Sequence, residues 1–111
     1  MITLPFPSSS LSGHSSKHYR VMRPIIAKHR DWARKAALAA KYHVQPEGDI
    51  QIHITFYPPN NRGDRLNYPN RMKAYFDGIA DALGVNDKRF VPHFYFCAPE
   101  KPGRVEVRIG A

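Results

Sequence analysis

Apolar residues recur at every second position in several short stretches of the chain, which is the spacing of a half-buried strand. Ile2, Leu4 and Phe6 follow this spacing and predict a short first strand over residues 2–6. The clearest strand covers residues 50–56, where three isoleucines and a phenylalanine alternate with polar side chains. These two stretches indicate a sheet with one buried face.

Two longer stretches follow helical spacing instead. Pro24 suits the first turn of a helix, because its missing N–H is not needed there, and Ala-rich sequence continues to about His43. A second helix is predicted from residue 68 or 69 to Leu83, with Gly84 as its C-terminal stop. Its core-facing side chains are expected to be Met72, Phe76, Ile79 and Leu83. Its opposite arc then carries Asn70, Lys73, Asp77 and Asp81.

The C-terminal part predicts two more strands, Phe90–Cys97 and Val105–Ile109, joined through Pro99–Gly103 as a hairpin. The order is therefore β-α-β-α-β-β. This order predicts an α+β fold in which two helices cover one face of a single-layer mixed sheet. Residues 1–111 form one predicted domain, and the Ser-rich stretch 8–20 is expected to be a mobile surface loop.

Charge adds a candidate partner to this picture. Seventeen Lys and Arg against nine Asp and Glu give a net charge of +8 at pH 7. A solvated surface that aids solubility explains part of such an excess, but its size favours a polyanionic partner. There is no apolar run near 18 residues and no signal-peptide core, so no membrane partner and a cytoplasmic location are expected. The lone Cys97 excludes an internal disulfide and suits a packed thiol in a reducing compartment.

Four of the nine acidic residues fall between positions 64 and 87, which is unusual in so basic a chain: Asp64, Asp77, Asp81 and Asp87. Carboxylates gathered in a basic background repel the phosphates that the remaining surface attracts. A divalent cation resolves this conflict, and oxygen ligands suit Mg²⁺ or Mn²⁺. A metal held against nucleic acid suggests phosphodiester cleavage.

Each of these carboxylates also has a simpler explanation. Asp77 lies four residues after Lys73, where a helix-surface ion pair is expected. Asp81 is explained by pairing with a distant cation or by solvation, Asp87 by a turn, and Asp64 by its flanking arginines. Spacing alone therefore does not establish catalysis.

The segment Asn67–Asp87 resembles the RusA family of Holliday-junction resolvases. The family carries a pattern close to Asp-Leu-Asp-Asn-x-x-Lys-x-x-x-Asp-x-Leu, followed by Gly and an Asp pair. Lys73 and Asp77 match the Lys-x-x-x-Asp portion, and Asn86-Asp87 stand at the final pair. The element order agrees with the family along nearly the whole chain.

The chain departs from the family upstream of Lys73. Counting back places Asn67 and Pro69 at the two catalytic aspartates, and Asn70 falls on the family's asparagine. A proline has no ligating side chain and an amide is a weaker ligand. Asp64 replaces a lost carboxylate if this branch has a three-residue insertion.

The resemblance implies a Mg²⁺-dependent homodimeric endodeoxyribonuclease, nucleoid-associated in the cytoplasm, which cuts four-way DNA junctions in recombination and repair. In the site that it implies, Asp64 and Asp87 hold the metal, with Mn²⁺ as an alternative ion. Asn67 or Asp77 completes the ligand shell, and Lys73 neutralises charge on the phosphate.

The same resemblance suggests phosphate contacts by Arg62, Arg65 and Arg71. Tyr68 either stacks on an unpaired base or packs in the core. Two other functions remain open: a non-catalytic branched-DNA-binding module that has lost part of the metal site, and a small protein whose basic surface binds an acidic protein or RNA.

Overall fold

The structure of the chain, a computed structural model, describes residues 1–12 and 19–110. The β-α-β-α-β-β order and the α+β class predicted from sequence are both confirmed. The elements are β1 (Ile2–Pro5), α1 (Tyr19–Ala40), β2 (Ile50–Tyr57), α2 (Lys73–Leu83), β3 (Phe90–Phe96) and β4 (Arg104–Ile109). Of the predicted loop 8–20, residues 13–18 lie outside the described residues, and Ser9–Leu11 forms a short 3-10 turn.

The four strands form one mixed sheet in the order β1-β4-β2-β3. β4 is antiparallel to both β1 and β2, whereas β3 runs parallel to β2. The predicted hairpin between β3 and β4 is therefore wrong, because β2 lies between these two strands. The connection instead passes over the end of β2, where the Glu100 N–H donates to the Pro58 carbonyl at 2.9 Å.

The alternating apolar positions explain why β4 takes the central place. Val105 and Val107 are fully buried and stand opposite Leu4 and Ile2 on one side. On the other side the same strand pairs with β2, so its backbone groups are satisfied along both edges. The face with these apolar side chains packs against both helices, whose contributions to the core include Ala33, Ala37, Tyr75 and Ile79, and Met72 adds to it from the 3-10 turn before α2.

The two helices differ in how well the sequence predicted their bounds. α1 begins at Tyr19, not at Pro24, so Pro24 lies inside the helix. A proline near the start of a long helix removes only one backbone hydrogen bond, and the following turns compensate for this loss. α2 begins at Lys73 and not at residue 68 or 69 as predicted, because Pro69–Met72 forms a separate 3-10 turn. α2 ends where predicted, because Gly84 adopts the left-handed conformation with φ of 67° and its N–H bonds to the Ala80 carbonyl.

A glycine sets the distance between α1 and α2. A Cβ added at Gly78 would lie 2.1 Å from the Arg30 carbonyl oxygen and 2.9 Å from the Ala33 Cβ. The backbones of the two helices therefore touch at this point, and only glycine fits there. This contact fixes the position of α2 on the sheet.

A buried histidine joins α1 to the segment that follows β1. His29 is 4% exposed, and its Nδ1 donates to the Ile25 carbonyl at 2.8 Å. Its Nε2 accepts from the Ser8 backbone N–H at 3.2 Å, which requires a neutral ring. Burial lowers the pKa of His29, outweighing the opposing hydrogen bond to Ile25.

Gly78→Ala tests the helix contact. Alanine at an exposed helical position stabilises a helix by about 1 kcal/mol relative to glycine. Here we expect the opposite sign, a loss of about 1–3 kcal/mol in the free energy of unfolding, because the added methyl group overlaps the α1 backbone. Urea denaturation measures this difference, and a variant as stable as the wild type would contradict the contact.

The neutral His29 predicts a pH-dependent stability. Because its folded-state pKa lies below the unfolded value of about 6.5, the unfolded chain binds more protons as pH falls through 6.5. The free energy of unfolding should therefore decrease between pH 7 and 5, by at most ~1.4 kcal/mol per pH unit from this residue. His29→Gln should reduce the slope. The exposed His43, changed to Gln, is the matched control and should keep it.

Candidate functional site

Two carboxylates and one ammonium meet on the outer side of α2. The Lys73 Nζ lies 3.0 Å from the Asp77 Oδ1, one helical turn away, and also contacts the Asp87 carboxylate. We call these three residues the carboxylate–lysine cluster. Both carboxylates are about one quarter exposed, at 26% for Asp77 and 27% for Asp87, so solvent and ligands reach them.

The turn after α2 brings Asp87 back to the helix. Gly84 ends α2, and the Asn86 side chain then accepts from the Lys88 N–H at 2.9 Å to start the 3-10 turn Asp87–Arg89. The same turn is held from its other end, where the Arg89 Nε donates to the Gly48 carbonyl at 2.8 Å. Local capping therefore fixes the position of Asp87.

Hydrogen bonds within the cluster shift the pKa values of Asp87 and Lys73. The hydrogen bond from Lys73, followed by one with Asp77, lowers the pKa of Asp87 below its usual range. The same two carboxylates, Asp87 first and Asp77 second, raise the pKa of Lys73. These shifts favour the carboxylate form of Asp87 and the ammonium form of Lys73, so the two groups form an ion pair.

Asp64 and Asn67 do not join this cluster. Asp64 is exposed, and its Oδ1 accepts from the Leu66 N–H at 2.9 Å, which caps the 3-10 turn Arg65–Asn67. Asn67 is the last residue of that turn. Within residues 1–12 and 19–110 there is no group of three or more His, Cys, Asp or Glu side chains arranged to hold a metal ion.

Asp81 forms an ion pair with a cation distant in sequence, which is one of the simpler explanations for this carboxylate. The Arg30 Nε and Nη2 donate to its two carboxylate oxygens at 2.7 and 2.8 Å. This bidentate geometry lowers the pKa of Asp81, mainly through the hydrogen bond from Arg30. Asp81 therefore serves the contact between α1 and α2 beside Gly78.

Tyr68 packs in the core, which is one of the two alternatives that the sequence left open. The residue is 2% exposed. Its ring meets Phe6 edge to face at 5.0 Å between centroids and lies 5.7 Å from Phe56. A ring this deeply buried has no exposed face on which a base could stack.

A cavity of about 380 Å³ opens beside these rings. We call it the Arg71 cavity; it is lined by Phe6, Pro59, Asn60, Arg62, Tyr68 and Arg71, with Ser9 and Gly63 at its margins. The predicted phosphate contacts Arg62 and Arg71 therefore share one cavity, whereas Arg65 does not line it. Arg62 and Arg65 are exposed and Arg71 is half-buried.

A separate, smaller groove of about 140 Å³ lies beside Lys73 and Asp77. Asn70 and Arg71 also line it, together with apolar side chains of α1. Arg71 is the residue that lines both this groove and the Arg71 cavity.

The Arg71 cavity was not predicted from the sequence, in which Phe6 indicated only a strand and Asn60 only a turn. The signal was the apolar Phe6-Pro7 pair at the end of β1, since the residues after a strand end often line a site. No spacing rule links that position to Arg71, 65 residues along the chain.

Comparisons with known proteins give one relative and no family. No protein-family model matches the chain. The chain is 38% identical over 96 residues to an uncharacterized protein of Xylella fastidiosa (strain Temecula1 / ATCC 700964). The match covers 83% of this chain and 63% of that protein, so this chain spans less than two thirds of its relative's length. The RusA resemblance remains a prediction.

None of the helices described in residues 1–12 and 19–110 has the length and apolar character needed to cross a bilayer.

Lys73→Met tests whether the ammonium holds the cluster together. Without that cation the two carboxylates repel each other, so we expect the pKa of Asp87 to rise from its lowered value. Side-chain ¹³C titration by NMR measures it directly. Lys35→Met is the matched control, because Lys35 pairs with Asp31 on α1 and has no contact with the cluster. An Asp87 pKa that is the same in both variants would contradict the arrangement.

Proposed function

We propose that the protein is a RusA-like, Mg²⁺-dependent endonuclease that cuts branched DNA, with four-way junctions as its substrate. The observation that carries the proposal is that the Asp77 and Asp87 carboxylates both contact the Lys73 ammonium. Two carboxylates and a lysine in a chain of net charge +8 suit the hydrolysis of a phosphodiester.

The donor set fits a Mg²⁺ ion, although with different ligands from those that the resemblance implied. Two carboxylates that already share one cation are close enough to share another. Mg²⁺ is commonly held by one or two carboxylates together with water and substrate phosphates, so a third carboxylate is not required. Asp77 and Asp87 are therefore the proposed metal ligands, in place of Asp64, Asn67 and Asp87.

When bound, the ion supplies Lewis-acid activation of the scissile phosphate and of the attacking water. The protein's own residues position and neutralise the reacting groups. The Lys73 side chain is 71% exposed and can turn from the carboxylates toward the phosphate, where it offsets the charge that builds up there. Asn70 lines the same groove and offers an amide donor to the phosphate or the sugar.

The positive charge of the chain supports DNA as the partner. Arg62 and Arg65 are exposed on the loop before α2, and no ion pair among the described residues involves either of them. Free guanidinium groups of this kind bind phosphates and give an affinity that falls steeply with salt. A four-way junction presents two symmetry-related strands, so a homodimer with one cluster in each subunit is the proposed active form.

A second candidate function is a branched-DNA-binding module without nuclease activity. Lys73 already bridges both carboxylates, and Asp64 is engaged in capping instead of completing a three-carboxylate site. In this account the cluster is structural and the arginines alone bind DNA. Cleavage in the presence of Mg²⁺ distinguishes the two candidates.

Asp77→Asn and Asp87→Asn each remove one proposed metal ligand while keeping the shape of the side chain. We expect cleavage of a labelled four-way junction in Mg²⁺ to fall by about 100-fold or more, since charge stabilisation of the transition state is lost. Junction affinity measured in EDTA should change by less than about threefold, because other residues bind the phosphates.

Asp64→Asn is the matched control. Asparagine caps a turn as well as aspartate does, so the fold is kept, and cleavage should remain near the wild-type rate. If the wild type binds junctions and never cuts them, the non-catalytic module is the correct account. If Asp64→Asn is as damaging as Asp87→Asn, the site includes Asp64 and the proposed ligand pair is wrong.

A further inference from the structure

Arg71 is a half-buried cation without a carboxylate partner. Four ion-paired groups occur among the described residues: Arg30 with Asp81, the Asp31 pairs, the carboxylate–lysine cluster and the Arg104 pairs. Arg71 belongs to none of them. Its guanidinium instead lies over two aromatic rings, 5.8 Å from the Phe6 centroid and 5.3 Å from the Tyr68 centroid.

The hydrogen bonds of Arg71 are also incomplete. Its Nε is buried and has no partner among the described residues. Its Nη1 donates to the Pro7 carbonyl at 3.4 Å, which is long for such a bond. Burial lowers the pKa of Arg71, consistent with a guanidinium partly removed from water. A cation in this setting is stabilised when an anion completes its contacts.

The Arg71 cavity can hold such an anion together with a flat apolar group. Arg62 supplies a second cation at its rim, and its backbone N–H is fixed by the Asn60 side chain at 3.0 Å. Phe6, Pro59 and Tyr68 form an apolar wall. A volume of about 380 Å³ lies within the usual range for small-ligand sites.

We propose that the Arg71 cavity binds a nucleoside 5′-phosphate group, with the phosphate on Arg71 and Arg62 and the nucleoside against the wall of Phe6 and Pro59. Phosphate and guanidinium match in charge and in bidentate geometry. The apolar wall favours a base over water, so the whole nucleotide is recognised and not only its charge.

The nucleotide comes from one of two sources, a free nucleotide or an unstacked nucleotide of a DNA strand. Arg71 favours the strand as the source, because it lines both the cavity and the groove that Lys73 and Asp77 line. Phosphate binding by Arg71 does not depend on cleavage. Only the choice of DNA as the source rests on the proposed function.

Calorimetric titration of the full chain with dTMP, thymidine and inorganic phosphate tests the site. We expect dTMP to bind at least about tenfold more tightly than thymidine, since hydrogen bonds to a charged group supply the difference. Arg71→Met keeps the stem over the aromatic rings but lacks the charge, and should weaken dTMP binding by about tenfold or more. Lys35→Gln, which removes one positive charge on α1, should leave dTMP binding unchanged.

The proposal is overturned if dTMP binds no more tightly than thymidine, or if Arg71→Met and Lys35→Gln behave alike. Arg62→Gln provides a second test at an exposed position, where unfolding is not a concern, and should also weaken dTMP binding. Competition by single-stranded oligothymidylate supports a strand as the source. Failure to compete overturns the strand source and identifies a free-nucleotide site. This titration measures binding and not junction cleavage, so a failure of the nuclease proposal would show only in the cleavage assay.

Discussion

The backbones of α1 and α2 come into direct contact at Gly78, and the arrangement of the acidic residues follows from that contact. Since no side chain separates the helices there, the close contact fixes the position of α2 against α1 and the sheet. The side chains of α2 on either side of Gly78 are thereby fixed in direction. Asp81 pairs with Arg30 and reinforces the helix contact, whereas Asp77 pairs with Lys73. The two aspartates of α2 therefore have different partners, while Asp64 and Asp87 are positioned by their own turns.

Lys73 lies between two carboxylates, Asp77 and Asp87, that the fold brings close together. Two carboxylates held near each other repel, and a cation between them removes the repulsion. An ammonium at that point keeps Asp77 and Asp87 together without a metal, and it has the exposure needed to leave when a phosphate and a divalent ion arrive. The nuclease proposal and the non-catalytic alternative differ only in whether this exchange occurs.

The sequence predicted the fold well where one physical rule dominates. Alternation identified β2, and the helical spacing of Phe76, Ile79 and Leu83 with a glycine stop identified α2. It predicted the wrong partner for β4, because the hairpin rule considers only neighbouring strands, whereas β4 is buried on both edges between β1 and β2. The start of α1 was predicted too late, because the free-energy cost of one proline inside the helix is smaller than the stabilisation from the rest of its 22 residues.

The candidate site could be predicted only in part for a similar reason. The Lys73–Asp77 pair is local and follows from helical spacing. Asp87 lies back against α2 because Gly84 ends the helix and Asn86 caps the turn that follows. The resemblance to the family motif grouped Asp87 with the site, and this turn gives the structural reason. Asp64 was grouped with them because it is near in sequence, but its carboxylate is used by its own turn. Arg71 and Phe6 meet only through the tertiary fold, so no pattern in the sequence joins them.

The most direct test of the account is the location of a divalent ion. Anomalous scattering from Mn²⁺ in crystals of the protein with junction DNA would show it without reference to activity. The account predicts one peak per subunit at coordination distance, ~2.1 Å, from oxygens of both Asp77 and Asp87, with Lys73 moved toward the phosphate. A peak at Asp64, or bound DNA with no peak while Lys73 still bridges the two carboxylates, would contradict it.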